Sequence, residues 1–279
     1  MSLAERNDLL RRTKSAVRSL CPKPLLLWRE ARYFKRYGER ELRLMRHLCA
    51  RERDAIDVGA NEGGYIHFMK RYARRVYAFE PVPWLAEALA RKFAPRVVVR
   101  NVALSRESGT AVLRIPVVAG ARVTGLATLD AAAAADGAFE EIEVRTLPLD
   151  EVFAGDAGFI KVDVEGHEEA VLAGAARTIA RCRPRLLVEI EESRAPGAVA
   201  RIRTFLRRFN YRGYFVRDRA VWSIDAFDAE TMQRPADIAD FGAGAPRTDF
   251  DRYVNNFLFL ADEEAEPLRA RIEATLRRL

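Results

Sequence analysis

The chain has 279 residues, of which 49% are hydrophobic and 31% charged, a composition that excludes a disordered protein and allows one substantial core. Its three cysteines, Cys21, Cys49 and Cys182, lack the spacing of a disulfide framework or a zinc site, which fits a reducing cytoplasm. No run reaches the roughly 20 apolar residues of a bilayer-spanning helix, and the net charge of +7 comes from residues 1–53, where fifteen Lys and Arg oppose six Asp and Glu.

Residues 1–53 are predicted to form a basic helical extension in front of a domain that spans residues 54–279. Apolar residues recur at helical spacing within 3–20 and 25–50, and Pro22 interrupts them. The simplest interpretation is a solvated amphipathic layer. Such a segment can also contact an anionic membrane or a nucleic acid, so peripheral contact with the inner membrane surface stays open for an otherwise cytoplasmic protein.

Four aromatic residues of this extension are interleaved with arginines: Trp28, Tyr33, Phe34 and Tyr37. Packing against the core is the simplest role for them. An acceptor-binding lid and a helix on a membrane surface are the two alternatives.

After the extension, short apolar runs alternate with helical stretches, as in a parallel sheet covered by helices on both faces. The predicted strands are residues 55–58, 76–79, 97–99, 159–164 and 186–190. The predicted helices are residues 64–72, 84–93, 167–180 and 198–209. Because each helix is long enough for a right-handed crossover, the sequence predicts an α/β fold with a Rossmann-like, mostly parallel sheet.

Further segments are predicted beside the sheet and at its C-terminal end. Residues 111–118 and 141–146 alternate in hydrophobicity like antiparallel strands, which predicts a hairpin beside the sheet. Residues 131–135 are predicted to be a loop or helical insertion. Near the C-terminus, residues 214–216 and 256–260 are predicted to be the closing strands.

A glycine-bearing loop follows the first predicted strand. Gly59, Gly63 and Gly64 let the backbone turn sharply and approach a ligand before a helix begins. Glu80 lies at the end of the second predicted strand, 21 positions past Gly59. A carboxylate at this place in a doubly wound fold binds ribose hydroxyls. The combination therefore predicts a cofactor that contains a nucleoside, rather than a plain glycine turn with a surface glutamate.

Two classes of cofactor use such a loop. Nicotinamide dinucleotides require a second glycine where the pyrophosphate contacts the backbone, but this chain has Asn61 at that position. S-adenosylmethionine has no phosphate, and its ammonium group needs acceptors, which Asp57 and the loop carbonyls can supply. The sequence therefore favours S-adenosylmethionine.

Several linked motifs resemble the FkbM-type family of S-adenosylmethionine-dependent O-methyltransferases. The matching motifs are DVGANEG at 57–63, AFEPVP at 78–83, NVALS at 101–105 with Gly109, IKVDVEGHE at 160–168, VLAGA at 171–175, Arg183 with Pro184, Glu189 and Asn256. Linked motifs in the right order are more specific than the first loop alone. The sequence TLPLD at 146–150 replaces the more usual Thr-Leu-Asp, and residues 1–53 lie outside the resemblance.

The resemblance implies a class I methyltransferase fold and methyl transfer to a hydroxyl of a sugar, glycan or polyketide-like acceptor. The implied cofactor contacts are Asp57, Gly59, Asn61 and Gly63 at the methionine end, Glu80 and Pro81 at the ribose, Asn101 and Ala103 at the adenine side, and Asp163.

Asp163, Glu165, His167 and Glu168 follow the fourth predicted strand, at the edge where open parallel sheets bind ligands. Because an alcohol is a poor nucleophile at neutral pH, methyl transfer to it needs a positioned base. His167 is the simplest base, since an unperturbed pKa of about 6.5 leaves it largely neutral at pH 7. Glu165, if burial raises its pKa, and Asp163 are the other catalytic candidates.

A metal-dependent route is the alternative to a base alone. Asp163, Glu165 and Glu189 would supply the oxygen ligands that magnesium prefers, but no further carboxylate pair completes the shell, so a metal is not favoured. Glu189 and Asn256 are also predicted on the substrate side, where the Asn256 amide would orient the acceptor or cap its strand.

Three other functions stay open. An RNA methyltransferase would explain the positive charge, but the Lys-Asp-Lys-Glu arrangement of such enzymes is missing because no lysine follows Lys161. A non-catalytic module with the cofactor fold would dock on membranes through residues 1–53, and a dehydrogenase would bind NAD. The expected partner is a small-molecule or glycan substrate rather than nucleic acid, and a homo-oligomer stays open.

Overall fold

Eight strands form the central sheet of the computed structural model, which describes residues 22–130, 137–234, 237 and 252–278. Five neighbouring strands are parallel: β3 (Val97–Arg100), β2 (Val76–Phe79), β1 (Asp54–Val58), β8 (Ala157–Val162) and β9 (Arg185–Glu189). Three antiparallel strands extend the sheet beyond β9: β12 (Asn256–Ala261), β10 (Tyr211–Arg217) and β11 (Ala220–Ser223). The predicted α/β fold with a mostly parallel sheet is therefore confirmed.

Helices cover both faces of this sheet. They are α1 (Lys23–Tyr37), α2 (Met45–Leu48), α3 (Ile66–Tyr72), α4 (Pro83–Phe93), α5 (Leu149–Val152), α6 (Glu168–Gly174), α7 (Ala176–Cys182), α8 (Ala198–Arg207), α9 (Ala229–Met232) and α10 (Asp262–Leu276). Because neighbouring residues of a strand point to opposite faces, Ala55 of β1 joins the cluster under α3 and α10, whereas Ile56 joins the cluster under α6 and α8. No helix within the described ranges is long and apolar enough to span a bilayer.

A second, smaller sheet stands beside the first. It contains β4 (Ala103–Leu104), β5 (Gly109–Val118), β6 (Ala121–Arg122) and β7 (Ala138–Leu147), in the order β4-β7-β5-β6. β5 and β7 pair antiparallel from Gly109 opposite Thr146 to Val117 opposite Ala138, which confirms the predicted hairpin and lengthens it. The predicted insertion at 131–135 lies outside the described residues.

The N-terminal extension packs on the main domain. The helical pattern over 25–50 forms two helices. α1 ends before Gly38, where a Cβ would contact the carbonyl oxygen of Phe34, and a 3₁₀ turn (Arg40–Leu44) follows before α2. Glu30 joins α1 to the domain, since its Oε2 lies 2.7 Å from Lys92 Nζ and 3.2 Å from His67 Nε2. The helix predicted over 3–20 lies outside the described residues.

Several element boundaries differ from those predicted, and two of these differences lie near the site. The helix predicted over 167–180 is broken between α6 and α7, because Gly174 lies against the carbonyl oxygen of Ser105 and the chain turns at Ala175. The fourth strand ends at Val162, two residues before the predicted end, and Asp163 begins the loop that follows.

Candidate active site

Two loops meet where the winding of the sheet reverses direction, between β1 and β8. The glycine loop (residues 59–64) follows β1, and the acidic loop (residues 163–167) follows β8. Gly59 has φ 77°, and a Cβ there would collide with the carbonyl oxygen of Asp163. Only glycine therefore allows the two loops to approach this closely. This reversal point is where doubly wound sheets bind their ligands.

Glu80 holds the glycine loop in place. Its buried carboxylate accepts hydrogen bonds from the backbone N–H groups of Asn61 (2.7 Å) and Val82 (2.9 Å). Burial raises the pKa of Glu80 to about 7, although these two donors oppose the shift. Asn101 Nδ2 donates to the carbonyl oxygens of Glu80 (2.9 Å) and Pro81 (2.8 Å). Hydrogen bonds therefore hold both the carboxylate and the backbone of Glu80, the residue predicted to bind the ribose.

An inner cavity, partly open to solvent, lies between these loops and the small sheet. Most of the predicted cofactor residues line it: Gly59, Asn61, Glu80, Pro81, Ala103 and Asp163. The small sheet and the segment after β6 supply the opposite wall through Leu113, Thr124, Gly125, Ala127 and Leu129.

An outer cleft of about 1180 Å³ adjoins the inner cavity. Its wall on the side of α1 and the following turn consists of Tyr33, Phe34, Tyr37, Gly38, Glu39 and Leu42. Both spaces are bordered by the same residues, namely Gly59, Asn61, Thr124, Gly125 and Asp163. Two ligands, one in each space, would therefore meet beside Asp163.

A buried lysine sits beneath the acidic loop. Lys161 Nζ lies 2.6 Å from Asp163 Oδ2 and 4.6 Å from the centre of the Tyr65 ring. Although burial opposes the charge, the carboxylates of Asp163 and Asp57 raise the pKa of Lys161. Tyr65 donates its hydroxyl to Glu39, which connects this cluster to the wall of the outer cleft.

Asp57 is the buried carboxylate at the end of β1, and it borders the outer cleft. Its Oδ1 has no hydrogen-bond partner in the described structure. Burial raises the pKa of Asp57 to about 7, although Lys161 opposes the shift. A buried acceptor without a partner is costly, so Asp57 is suited to receive a donor from a ligand.

Glu165 and His167 line the inner cavity but do not border the outer cleft. Burial, with Asp163 nearby, raises the pKa of Glu165 well above its usual value, while Arg194 Nε lies 3.0 Å from Glu165 Oε2. His167 Nε2 is 2.9 Å from the Ser105 hydroxyl, and burial lowers its pKa. The imidazole is therefore neutral at pH 7, as a base must be.

Four predicted site residues lie outside the lining of both cavities, namely Gly63, Asn101, Glu189 and Asn256. A Cβ at Gly63 would contact the side chains of Phe93 and Leu89, so this glycine lets α4 pack on the loop. Glu189 and Asn256 lie behind the outer cleft, where Asn256 Nδ2 is 3.3 Å from Glu39 Oε2. Glu189 Oε1 accepts a hydrogen bond from the neighbouring Asn255 Nδ2 at 2.5 Å.

The carboxylates of the acidic loop are paired with cations. Asp163 binds Lys161, and Glu165 binds Arg194. Among the residues that the structure describes, no group of three or more His, Cys, Asp or Glu side chains is arranged to hold a metal ion. Asp163, Glu165 and Glu189, the residues considered for a metal from the sequence, are not gathered into such a group in the described structure.

Sequence patterns missed the wall that the small sheet contributes. Thr128 Oγ1 donates to the carbonyl oxygen of Glu165 at 2.7 Å, which fastens the segment after β6 to the acidic loop. No local motif marks these residues, because only the folding of the hairpin brings them to the cavity. The role of Lys161 beside Asp163 was also missed, although both residues stand within the fourth linked motif.

Comparisons with known proteins support the family. A family model described as the methyltransferase FkbM domain matches residues 57–212, more than half of the chain. A search of curated proteins gave no match. Among solved structures, methyltransferase FkbM from Methylobacillus flagellatus is 18% identical with a TM-score of 0.46, and the match covers 75% of this chain and 44% of that one. This chain thus spans less than half the length of that relative.

Two further solved structures are similar to this chain at lower identity. The Streptococcus mutans protein SMU.1697c, in complex with SAH, is 10% identical with a TM-score of 0.41, and the match covers 79% of this chain and 94% of that one. An rRNA methylase from Streptococcus thermophilus is 10% identical with a TM-score of 0.38, covering 79% and 93%. With more than half of its length matched by the family model, the chain belongs to the FkbM family of methyltransferases.

Proposed function

We propose that this protein transfers a methyl group from S-adenosylmethionine to a hydroxyl group of a sugar, glycan or polyketide-like acceptor. The observation that carries this proposal is the common border of the inner cavity and the outer cleft at Asp163. A transfer between two bound molecules requires their reacting atoms to meet in line. Two adjoining spaces that share one carboxylate are suited to that requirement.

The inner cavity and the glycine loop fit S-adenosylmethionine. Asp57 borders the outer cleft beside the glycine loop, and its unpartnered Oδ1 suits the ammonium of the methionine part where the cofactor reaches the common border of the two spaces, because charge-assisted hydrogen bonds are the strong ones. Glu80 has lone pairs left for ribose hydroxyls, and the apolar side chains of Val102 and Leu113 suit the adenine. When bound, the cofactor would supply a methyl group on a positively charged sulfur to an attacking oxygen.

The outer cleft fits an acceptor with rings and hydroxyl groups. Tyr33, Phe34 and Tyr37 offer flat apolar surface, against which the C–H face of a sugar or polyketide ring packs. Glu39 and Arg122 border the same cleft and bring the polar groups that orient a ligand. This mixture of aromatic and polar lining supports a hydroxylated small molecule or glycan.

Asp163 is the favoured base. Lys161 holds its carboxylate through Oδ2, and Oδ1 would take the proton that the acceptor hydroxyl loses as its oxygen attacks. His167 ranks second because it borders the inner cavity alone and its Nε2 faces Ser105. Glu165 ranks third because it borders the same cavity and is bound to Arg194.

Binding and turnover measurements test the proposal. Calorimetry should show binding of S-adenosylmethionine and S-adenosylhomocysteine and no binding of NAD. A screen of sugars, nucleotide sugars, lipid-linked glycans and polyketides should then yield one acceptor class that gains a single methyl group in mass spectrometry. A preference for NAD would overturn the donor assignment, and methylation of RNA alone would overturn the acceptor assignment.

Glu80→Gln is expected to weaken the binding of S-adenosylmethionine by about 10- to 100-fold, because a hydrogen bond to a charged group contributes about 1.5–3 kcal/mol. The substitution also turns one acceptor oxygen into an NH₂ group, which cannot accept the hydrogen bond from the backbone N–H of Asn61 or Val82. The glycine loop should therefore be held less firmly. Calorimetry measures the affinity. Glu87→Gln, on the exposed face of α4, is the matched control, and equal affinities in the two variants would contradict a ribose role for Glu80.

Binding of S-adenosylmethionine is expected to release protons near pH 6.5 and to tighten as the pH rises from 5.5 to about 7.5. The pKa of Asp57 is raised to about 7, so part of the free protein carries a proton there that an incoming ammonium displaces. Calorimetry in buffers with different ionisation enthalpies counts the protons. Asp57→Asn should release fewer, and an unchanged count would exclude Asp57 from the ammonium site.

A further inference from the structure

A basic cavity lies at the opposite edge of the central sheet from the glycine loop. It has a volume of about 1800 Å³, is open to solvent, and is lined by eight Lys or Arg side chains and by no Asp or Glu. The ends of α3 and α4 and the residues that precede β2 and β3 form most of it, with the first turn of α1 at its border. It is therefore separate from the two cavities of the candidate active site.

Within the described residues, most of these cations have no carboxylate partner. In the part of the chain that the structure describes, no ion pair with a carboxylate is formed by Lys23, Arg51, Lys70, Arg71, Arg75 or Arg96. Burial and the neighbouring cations Arg71, Lys92 and Arg96 lower the pKa of Lys70, although the Glu30 carboxylate opposes the shift. The cluster thus repels itself in the free protein and would be stabilised by an anion.

The helix dipole accounts for only some of the Lys and Arg side chains that line the basic cavity. Lys70 and Arg71 lie in the last turn of α3, where cations interact with the negative end of the helix dipole. Arg51, Arg75 and Arg96, however, stand in the segments between helices and strands. The helix dipole therefore does not explain why these three arginines also line the basic cavity.

A second cavity rich in arginine provides a contrast. It is lined by Arg203, Arg207, Arg212 and Arg269, but also by Asp225, Asp262 and Glu266. There Arg212 is 3.0 Å from Asp262 and Arg203 is bound to Asp225. An abundance of arginine therefore does not by itself leave positive charge unpaired on this protein.

The helix that begins at the basic cavity also exposes apolar side chains. Leu25 and Trp28, one turn apart on the outward face of α1, are 46% and 54% exposed. Arg29 and Arg32 share that face, and Arg32 lies over the Trp28 ring. A tryptophan and a leucine flanked by arginines are typical of helices at a membrane surface.

We propose that the basic cavity and the outward face of α1 dock this protein on an anionic membrane surface, with the cavity receiving phosphate groups of lipid headgroups. The charge complementarity of unpaired cations with lipid phosphates favours this partner, and the exposed Leu25 and Trp28 supply the apolar contact. A nucleic acid bound here would lie at the edge of the sheet away from Asp163, which makes it the less suitable partner.

Vesicle binding by the full chain tests the proposal. Sedimentation with vesicles of phosphatidylcholine, with and without phosphatidylglycerol, is measured for the wild type, for Arg75→Glu with Arg96→Glu, and for Arg207→Glu with Arg219→Glu. The last pair changes the net charge equally on exposed residues away from the basic cavity. Thermal unfolding and calorimetry with S-adenosylmethionine check that each variant is folded.

We expect the wild type and the Arg207/Arg219 variant to bind only the anionic vesicles, and the Arg75/Arg96 variant to bind them at least about tenfold more weakly. Leu25→Ser with Trp28→Ser should also weaken binding. Equal binding by the two charge variants, or no preference for anionic vesicles, would overturn the proposal. So would binding of pyrophosphate or of an RNA oligonucleotide at the cavity without vesicle binding, since the ligand would then be a small anion or a nucleic acid.

Discussion

Asp163→Asn is expected to lower kcat by about 10²- to 10⁴-fold, the contribution typical of a positioned base. The substitution keeps an oxygen for Lys161 Nζ, which lies 2.6 Å from Asp163 Oδ2, but it removes the group that takes the proton. The affinity for S-adenosylmethionine should change much less than kcat. Single-turnover measurements with an acceptor found in the screen would separate the two quantities.

Two further variants make this result specific. Asp156→Asn breaks an ion pair with Arg53 at 2.8 Å on the surface and should leave kcat within about twofold of the wild type. His167→Ala removes the base that the sequence favoured first. A collapse of kcat in His167→Ala, together with nearly full activity in Asp163→Asn, would move the base from Asp163 to His167.

Gly59→Ala is expected to lower the free energy of unfolding by about 1–3 kcal/mol and to weaken binding of S-adenosylmethionine by at least about tenfold. The added Cβ would collide with the carbonyl oxygen of Asp163, so the glycine loop and the acidic loop must separate. Denaturant unfolding gives the stability, and calorimetry gives the affinity.

Gly120→Ala is a matched control for this effect. Gly120 has φ 76°, nearly the value of Gly59, but a Cβ there would have no atom within 4 Å. The Gly120→Ala variant should therefore lose stability only because alanine is disfavoured in the left-handed backbone conformation. Its affinity for the cofactor should equal that of the wild type. If both variants lose the same stability and affinity, the contact between Gly59 and Asp163 does not shape the site.

The donor side was predictable because its determinants are local. A buried strand followed by glycines, and a glutamate at the end of the next strand, specify backbone turns that depend little on distant residues. Gly59, Asn61, Glu80 and Asp163 consequently lie around one cavity, as the motifs indicate. Their roles toward a ligand stay predictions until binding is measured.

The proposed acceptor side was predictable only in part. Tyr33, Phe34 and Tyr37 were considered for an acceptor-binding lid from the sequence, but contacts between distant segments create the rest of the cleft. Arg122 and Thr124 reach the outer cleft only after β5 and β7 have paired. The unpartnered Oδ1 of Asp57 and the ion pair of Lys161 with Asp163 depend on burial, which hydrophobic periodicity does not measure. The broken helix at Ala175 follows from a contact with Ser105, a residue about 70 positions away.

The outer cleft draws its walls from two separate stretches of the chain. Tyr33, Phe34 and Tyr37 belong to α1, which precedes the segment that the family model matches, residues 57–212. The donor residues lie within that segment. Exchanging the helix in front of the matched segment would therefore alter the proposed acceptor cleft and leave in place the residues proposed to hold the methyl donor.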